Sequence, residues 1–235
     1  MEGFTFGSHP LTVRLLKWVF EQRPSRPRYT DTWDVSVVLN HLRGEMPLRQ
    51  LGLCRLTHKL LMLIALVTAQ RSQTIHLLDT AHMSKAPDKF IFHLSKPIKT
   101  SRPGKRLPIV ELCKYEEESL CVYQTLEHYL QRTESLRKDS MLFISYAKPH
   151  KVVGKETISR WMKETLRQAG IDVEKYKAHS TRSAAASAAC QRHLPIQDIL
   201  AVAGWSRETT FQKFYHRQSD SSKTFAAEVL ARDVQ

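Results

Sequence analysis

Apolar residues recur at helical spacing along most of the chain and alternate at strand spacing in only two short runs. The stretch LTVRLLKWVFEQ is amphipathic and predicts a short helix with Pro10 in its first turn. Arg23-Pro-Ser-Arg-Pro-Arg28 then breaks it. A second helix is predicted from Val35 to Leu42, capped by Thr32 and ended by Gly44 to Pro47. Thr57 is placed as the cap of a strongly apolar helix, HKLLMLIALVTAQ, and SQTIHLLD as a further helical stretch after Arg71. A guanidinium therefore falls at the junction of two buried elements.

Phe90-Ile-Phe-His-Leu94 and Pro108-Ile-Val-Glu-Leu112 read as short strands separated by KPIKTSRPGKR. That pattern predicts a β-hairpin with a long basic loop. Met141-Leu-Phe-Ile-Ser145 fits either one more short strand or an apolar link. Beyond the hairpin, CVYQTLEHYLQRT, TISRWMKETLRQAG, AHSTRSAAASAACQRH and PIQDILAVAG have helical periodicity, with Gly170 and Gly204 placed as C-terminal stops. The fold expected is mainly α with a small β-hairpin or sheet, an α+β class. No internal repeat or low-complexity tract is present.

The chain has 235 residues, 42% hydrophobic and 25% charged, enough for one substantial core and a smaller appendage. Lys and Arg total 36 against 23 acidic residues, a formal charge of +13. Such an excess favours a polyanionic partner, because neutralising phosphates releases condensed counterions. Cys54, Cys113, Cys121 and Cys190 form no C-x-x-C pair, which argues against a zinc module and a disulfide scaffold and fits a reducing compartment. Leu60 to Ala69 is too short an apolar run to cross a bilayer, and MEGFTFGSHP has neither the basic region nor the apolar core of a secretion signal. An intracellular protein with no membrane partner is expected.

His179-Ser-Thr-Arg182 places an imidazole and a guanidinium on one helical face, and the small-residue run Ser183 to Cys190 lets that helix pack closely. Gly204-Trp205 and Phe214-Tyr215-His216-Arg217 follow. In its order of residues the sequence resembles the tyrosine recombinases, whose catalytic domains carry an Arg, a hairpin Lys, an H-x-x-R, a Gly-His or Gly-Trp pair and a Tyr nucleophile. The matching positions are Arg71, Lys99, His179 with Arg182, Trp205 and Tyr215. The wording KTSRPG, HSTRSA and GWS is most similar to recombinases of eukaryotic DIRS-like and Ngaro-like retroelements, which implies a nuclear location and a transposable-element origin.

The resemblance implies a double-stranded DNA substrate, a tetrameric synapse of identical chains and a 3′-phosphotyrosyl intermediate at Tyr215, with no cofactor and no metal. Cutting a phosphodiester this way needs a nucleophile, charge neutralisation on the non-bridging oxygens and a proton for the leaving oxygen. Arg71 and Arg182 suit the second task, because guanidinium stays charged and presents paired donors. His179 can accept the phenol proton or hold the phosphate. Trp205 can donate through its indole N–H. Lys99 is the candidate acid, flanked by Lys96 and Lys105. DNA contacts are expected from Lys96, Arg102, Lys105, Arg106, Arg160 and Lys163. Glu116-Glu-Glu118 cannot converge on one ion from a helix and is expected to be a solvated face.

The domains expected are 1–45, a partial N-terminal helical segment like a core-binding domain; 46–218, the catalytic domain; and 219–235, a tail helix. Two departures from the family pattern stand out. Thr74 occupies a position where many members carry an acidic residue, and the Trp205 to Tyr215 interval is one residue longer than in familiar members, about 100° of helical rotation. Taken singly, Arg71 also fits a cap on the preceding helix, and Tyr215 and Trp205 fit core aromatics. Two other functions remain compatible with the residues: a domesticated DNA-binding module that no longer cuts, and a relaxing enzyme of the type IB topoisomerase kind.

Overall fold

The computed structural model describes residues 6–23, 31–98, 101, 104, 107–205 and 208. They belong to two compact units, Met1–Asp31 and Thr32–Gln235. In the first unit, helix α1 spans Pro10–Gln22. Pro10 fits its first turn, where a missing N–H costs nothing, and the His9 ring accepts from the Leu11 N–H at 3.3 Å. Leu11, Leu15, Leu16, Trp18 and Phe20 of α1 are all exposed.

The second unit opens with α2, Val35–Arg43. Its cap is Asp34 rather than Thr32: one Asp34 oxygen accepts from the Ser36 N–H at 2.8 Å and the other from the Ser36 hydroxyl at 2.6 Å. Those hydrogen bonds hold the Asp34 carboxyl below its usual pKa. A carboxylate at the residue beside the helix outcompetes a hydroxyl two positions further out. Val38 and Leu42 of α2 are wholly buried within this unit.

Helix α3, Leu53–Thr68, is the centre of the unit and touches α5, α6, α7 and β3. Thr57 does not cap it. The helix starts a turn earlier, behind Gly52, and the Thr57 hydroxyl donates back to the Leu53 carbonyl at 2.6 Å. Leu56 is fully buried, so the apolar pattern that drives the helix extends upstream of Thr57. The run Leu56–Ala65 is buried on every side, with the polar residues Thr57, His58 and Lys59 enclosed among apolar ones. Ala69 ends α3 in the left-handed region, at φ 47°, and α4 follows at Ser72–His76.

Strands β2, Lys89–His93, and β3, Ile109–Cys113, form the expected hairpin, with His93 opposite Ile109 and Lys89 opposite Cys113. Phe90, Phe92, Val110 and Leu112 alternate inward. A third strand, β1 at Met83–Lys85, pairs antiparallel with β2 and was not evident in the sequence, since its three residues are partly or fully exposed. Met141 to Ser145 is an apolar link, with isolated bridges from Asp79 to Met141 and from Ile144 to Val152.

The remaining helices are α5, Val122–Thr133; α6, Lys155–Gln168; α7, Ser180–Gln191; and α8, Ile196–Ala203. Gly170 and Gly204 follow α6 and α8 at φ 90° and φ 67°. The mainly helical class with a small antiparallel sheet is the fold observed.

Candidate active site

The site is built at the break between α3 and α4. Left-handed Ala69 turns the chain sharply, so that α3 ends and Arg71 stands as the N-cap residue of α4 with extended backbone angles. Arg182, 3% exposed, donates from Nη1 to the Ala69 carbonyl at 2.8 Å. One arginine thus satisfies the orphan carbonyl of the turn that projects the other. The capping role considered for Arg71 is filled by Arg182; the Arg71 carbonyl accepts from the Ile75 N–H at 3.0 Å, and its side chain makes no capping hydrogen bond.

Arg182 reaches the turn because α7 lies close to α3. Ser180, Thr181, Ser183, Ala184, Ala186 and Ser187 are all buried, and small side chains are what permit so close an approach. His179 is the N-cap residue of α7, exposed, three positions before Arg182.

Trp205 is placed by the end of α8. The Gly204 N–H donates to the Ala201 carbonyl at 3.2 Å and the Trp205 N–H to the Leu200 carbonyl at 2.9 Å, which together make a Schellman turn. Such a turn sets the residue after the glycine against the last apolar residues of the helix. Here Trp205 packs with Ile199, Leu200, Ala203, Ala186 and Ala69. The Arg182 guanidinium carbon sits 4.3 Å from the centroid of the Trp205 ring, a buried cation–π contact.

Gln70 was missed in the sequence. It is 7% exposed, and its side-chain amide donates to the Val202 carbonyl at 2.9 Å, tying the turn before Arg71 to the helix before Trp205. A polar residue in the break between two apolar helices, next to a candidate arginine, was the available signal. Thr74 is buried in α4, so this position holds a neutral side chain beneath the site.

The structure therefore brings together the Arg71 turn, Arg182, Trp205 and, on the same helix as Arg182, His179. Lys96 is exposed just beyond β2. Arg160 is exposed on α6, the helix against which α4 packs. Lys163, also on α6, lies 3.3 Å from the Glu174 carboxylate, an exposed pairing that salt and phosphate can displace. Lys99, Arg102, Lys105, Arg106 and Tyr215 lie outside the described residues, as does most of the Trp205 to Tyr215 interval. Within the acidic run, Glu117 pairs with Arg43 at 2.7 Å, and its carboxyl pKa falls to about 2 through that bond. No helix among the described residues is long and apolar enough to cross a membrane.

No curated protein matches the chain. Among solved structures it is similar to the XerH site-specific recombinase bound to difH substrate, with TM-score 0.60 and 14% identity over 83% of this chain and 52% of that one. It is similar to the XerA recombinase, with TM-score 0.61 and 18% identity over 97% of this chain and 78% of that one. The Tn1549 transposon integrase in complex with transposon right end DNA is similar at TM-score 0.57 and 14% identity, over 98% of this chain and 81% of that one. The chain spans about half the length of the XerH protein, and identities this low speak to the fold. Residues 52–221, well over half of the sequence, match the sequence model of the phage integrase family, and the chain belongs to that family.

Proposed function

We propose that this chain breaks and rejoins double-stranded DNA through a covalent link to Tyr215. The observation that supports it most is the buried Arg182, bonded to the turn that carries Arg71 and stacked on Trp205, three residues that fall in the order of the family pattern. A guanidinium carried on that turn and a second one bonded to it suit a phosphodiester whose charge grows in the transition state. The Tyr215 phenol gives its proton to His179 as its oxygen bonds to phosphorus. The bond to the 5′-oxygen breaks, and Lys99 supplies the proton that oxygen needs. The 3′-phosphotyrosyl link keeps the bond energy, so another strand's 5′-hydroxyl reverses the step.

DNA as the substrate is supported by the +13 charge and by the similar structures, XerH described bound to difH substrate and the Tn1549 integrase described in complex with transposon right end DNA. Lys96, Arg102, Lys105, Arg106, Arg160 and Lys163 are the proposed contacts. The wording of the motifs favours kinship with the recombinases of DIRS-like and Ngaro-like retroelements, working in the nucleus as a homo-tetramer on DNA. The domain division at 1–45, 46–218 and 219–235 belongs to the same proposal. A second function, DNA binding without cutting, is favoured by one observation: buried, neutral Thr74 in place of an acidic support.

Nicked suicide DNA incubated with the protein in EDTA separates the two. A covalent protein–DNA adduct that disappears in Tyr215→Phe is the expected result. Tight binding with no adduct points to the binding module, and neither binding nor adduct overturns both.

A further inference from the structure

Trp33 takes no part in the chemistry above, yet it is only 5% exposed and lies two residues into the larger unit. Its indole Nε1–H donates to the Ser180 hydroxyl at 2.9 Å, a buried bond between residues 147 apart in sequence. Ser180 is 2% exposed and is the first residue of α7, directly after His179 and two before Arg182.

The first turn of α7 begins without a side-chain capping hydrogen bond, its N-cap residue being His179. The Ser180 N–H reaches the Lys177 carbonyl at 2.8 Å and the Thr181 N–H the Ala178 carbonyl at 3.3 Å, which fastens the backbone of the turn. At about 100° per residue, Ser180 points roughly 160° away from Arg182. Trp33 therefore bears on one side of the turn, while on the other Arg182 reaches the Ala69 carbonyl at 2.8 Å. A turn held from opposite sides has its rotation fixed, and His179, about 100° from Ser180, is carried with it.

We infer that Trp33 is a positioning residue: its indole N–H holds the first turn of α7 in the rotation that presents His179 and Arg182 together to the scissile phosphate. The inference rests on the proposed strand-cutting function and adds to it a residue that touches no reacting atom. The hydrogen bond carries the role, and the bulk of the ring does not suffice. A buried indole N–H needs an acceptor, and Ser180 is the one it has.

Trp33→Phe keeps an aromatic ring but loses the donor, and Ser180→Ala keeps the indole but loses the acceptor. Each is compared with wild type for single-turnover adduct formation on saturating nicked DNA, for DNA affinity, for thermal midpoint, and for the His179 ring resonance by NMR in the DNA-free protein. Each variant should lower the adduct rate on the order of 10- to 100-fold, since misplacing a reacting group by about 1 Å costs that much. Affinity should stay within about twofold. The double variant should be no slower than the worse single, and the His179 resonance should move in both. Unchanged rates, or losses that multiply in the double variant, overturn the inference. If Trp33→Phe does not fold, Ser180→Ala, which leaves the ring in place, decides alone. If wild type forms no adduct, the strand-cutting function fails, and the His179 resonance still decides: movement in both variants upholds the positioning role, and no movement ends it.

Discussion

Lys59 on α3 and Arg182 on α7 are both cations in the interior, 0% and 3% exposed, and the protein uses them differently. Lys59 donates to the carbonyls of Leu42 at 2.6 Å and Glu45 at 2.9 Å, where α2 ends and its carbonyls are orphaned. Burial brings its pKa down to about 8, with Glu45 and Glu117 pulling the other way. The same burial raises the Glu45 carboxyl, against the pull of Lys59 and Arg55. Lys59 is a rivet between α2 and α3. Arg182 is the better choice for the other end of α3, because a guanidinium does not give up its charge on burial and has a planar set of donors. It can hold the Ala69 carbonyl and stack on Trp205 while remaining a cation, which an ammonium with a lowered pKa cannot guarantee. A buried charge is kept where it must stay charged, and is allowed to become titratable where it only joins two elements.

The largest effect expected from this contrast is a pH dependence. The folded pKa of Lys59, about 8, lies below the ordinary lysine value of 10.5, so between these pH values the unfolded chain binds more protons and stability rises with pH. Below about 8 the contribution is flat. Unfolding free energies by urea, taken as wild type minus Lys59→Met, should grow by about 3 kcal/mol from pH 7.5 to 10.5, because each pH unit between the folded and unfolded pKa contributes roughly 1.4 kcal/mol. Taking the difference cancels the contribution of Tyr129, whose pKa burial raises. A flat difference would mean that burial does not lower the Lys59 pKa.

Gln70→Ala tests the other end of α3. Losing the bond to the Val202 carbonyl should cost about 1 to 2 kcal/mol in urea unfolding. Adduct formation at saturating DNA should fall about 10-fold, because the turn that aims Arg71 is released from α8. Equal adduct rates would reduce the Ala69 to Arg71 turn to a packing feature. Gly204→Ala should have the smallest effect. An added Cβ meets nothing within 4 Å, so only the left-handed φ of 67° opposes it, at about 1 kcal/mol. The thermal midpoint should drop by about 2 to 4 °C, with the adduct rate near wild type.

The sequence showed most of the helices and the hairpin because their patterns are long and local. Apolar spacing located α3 and α5 to α8, and alternation located β2 and β3. Strand β1 escaped because Met83–Lys85 has no inward-facing alternation and exists through its pairing with β2. Thr32 and Thr57 were placed as caps on residue type alone, whereas the observed starts depend on which oxygen reaches a free N–H and on how far the buried face extends. The candidate site was legible as a set of residues in order and not as an arrangement. That Arg182 serves the carbonyl of Ala69, that Gln70 spans to Val202 and that Trp33 reaches Ser180 are contacts across more than a hundred residues, set by tertiary packing.

The central claim is that Arg182 neutralises phosphate charge. Its most direct test replaces the scissile phosphate with an uncharged methylphosphonate in nicked DNA and measures adduct formation by wild type and Arg182→Ala. On ordinary DNA, Arg182→Ala should lose on the order of 100-fold or more. On methylphosphonate DNA, which has no charge left to neutralise, the variant should recover to within about 10-fold of wild type. An equal deficit on both substrates would contradict the account and leave Arg182 as a support for the Ala69 turn and Trp205 alone.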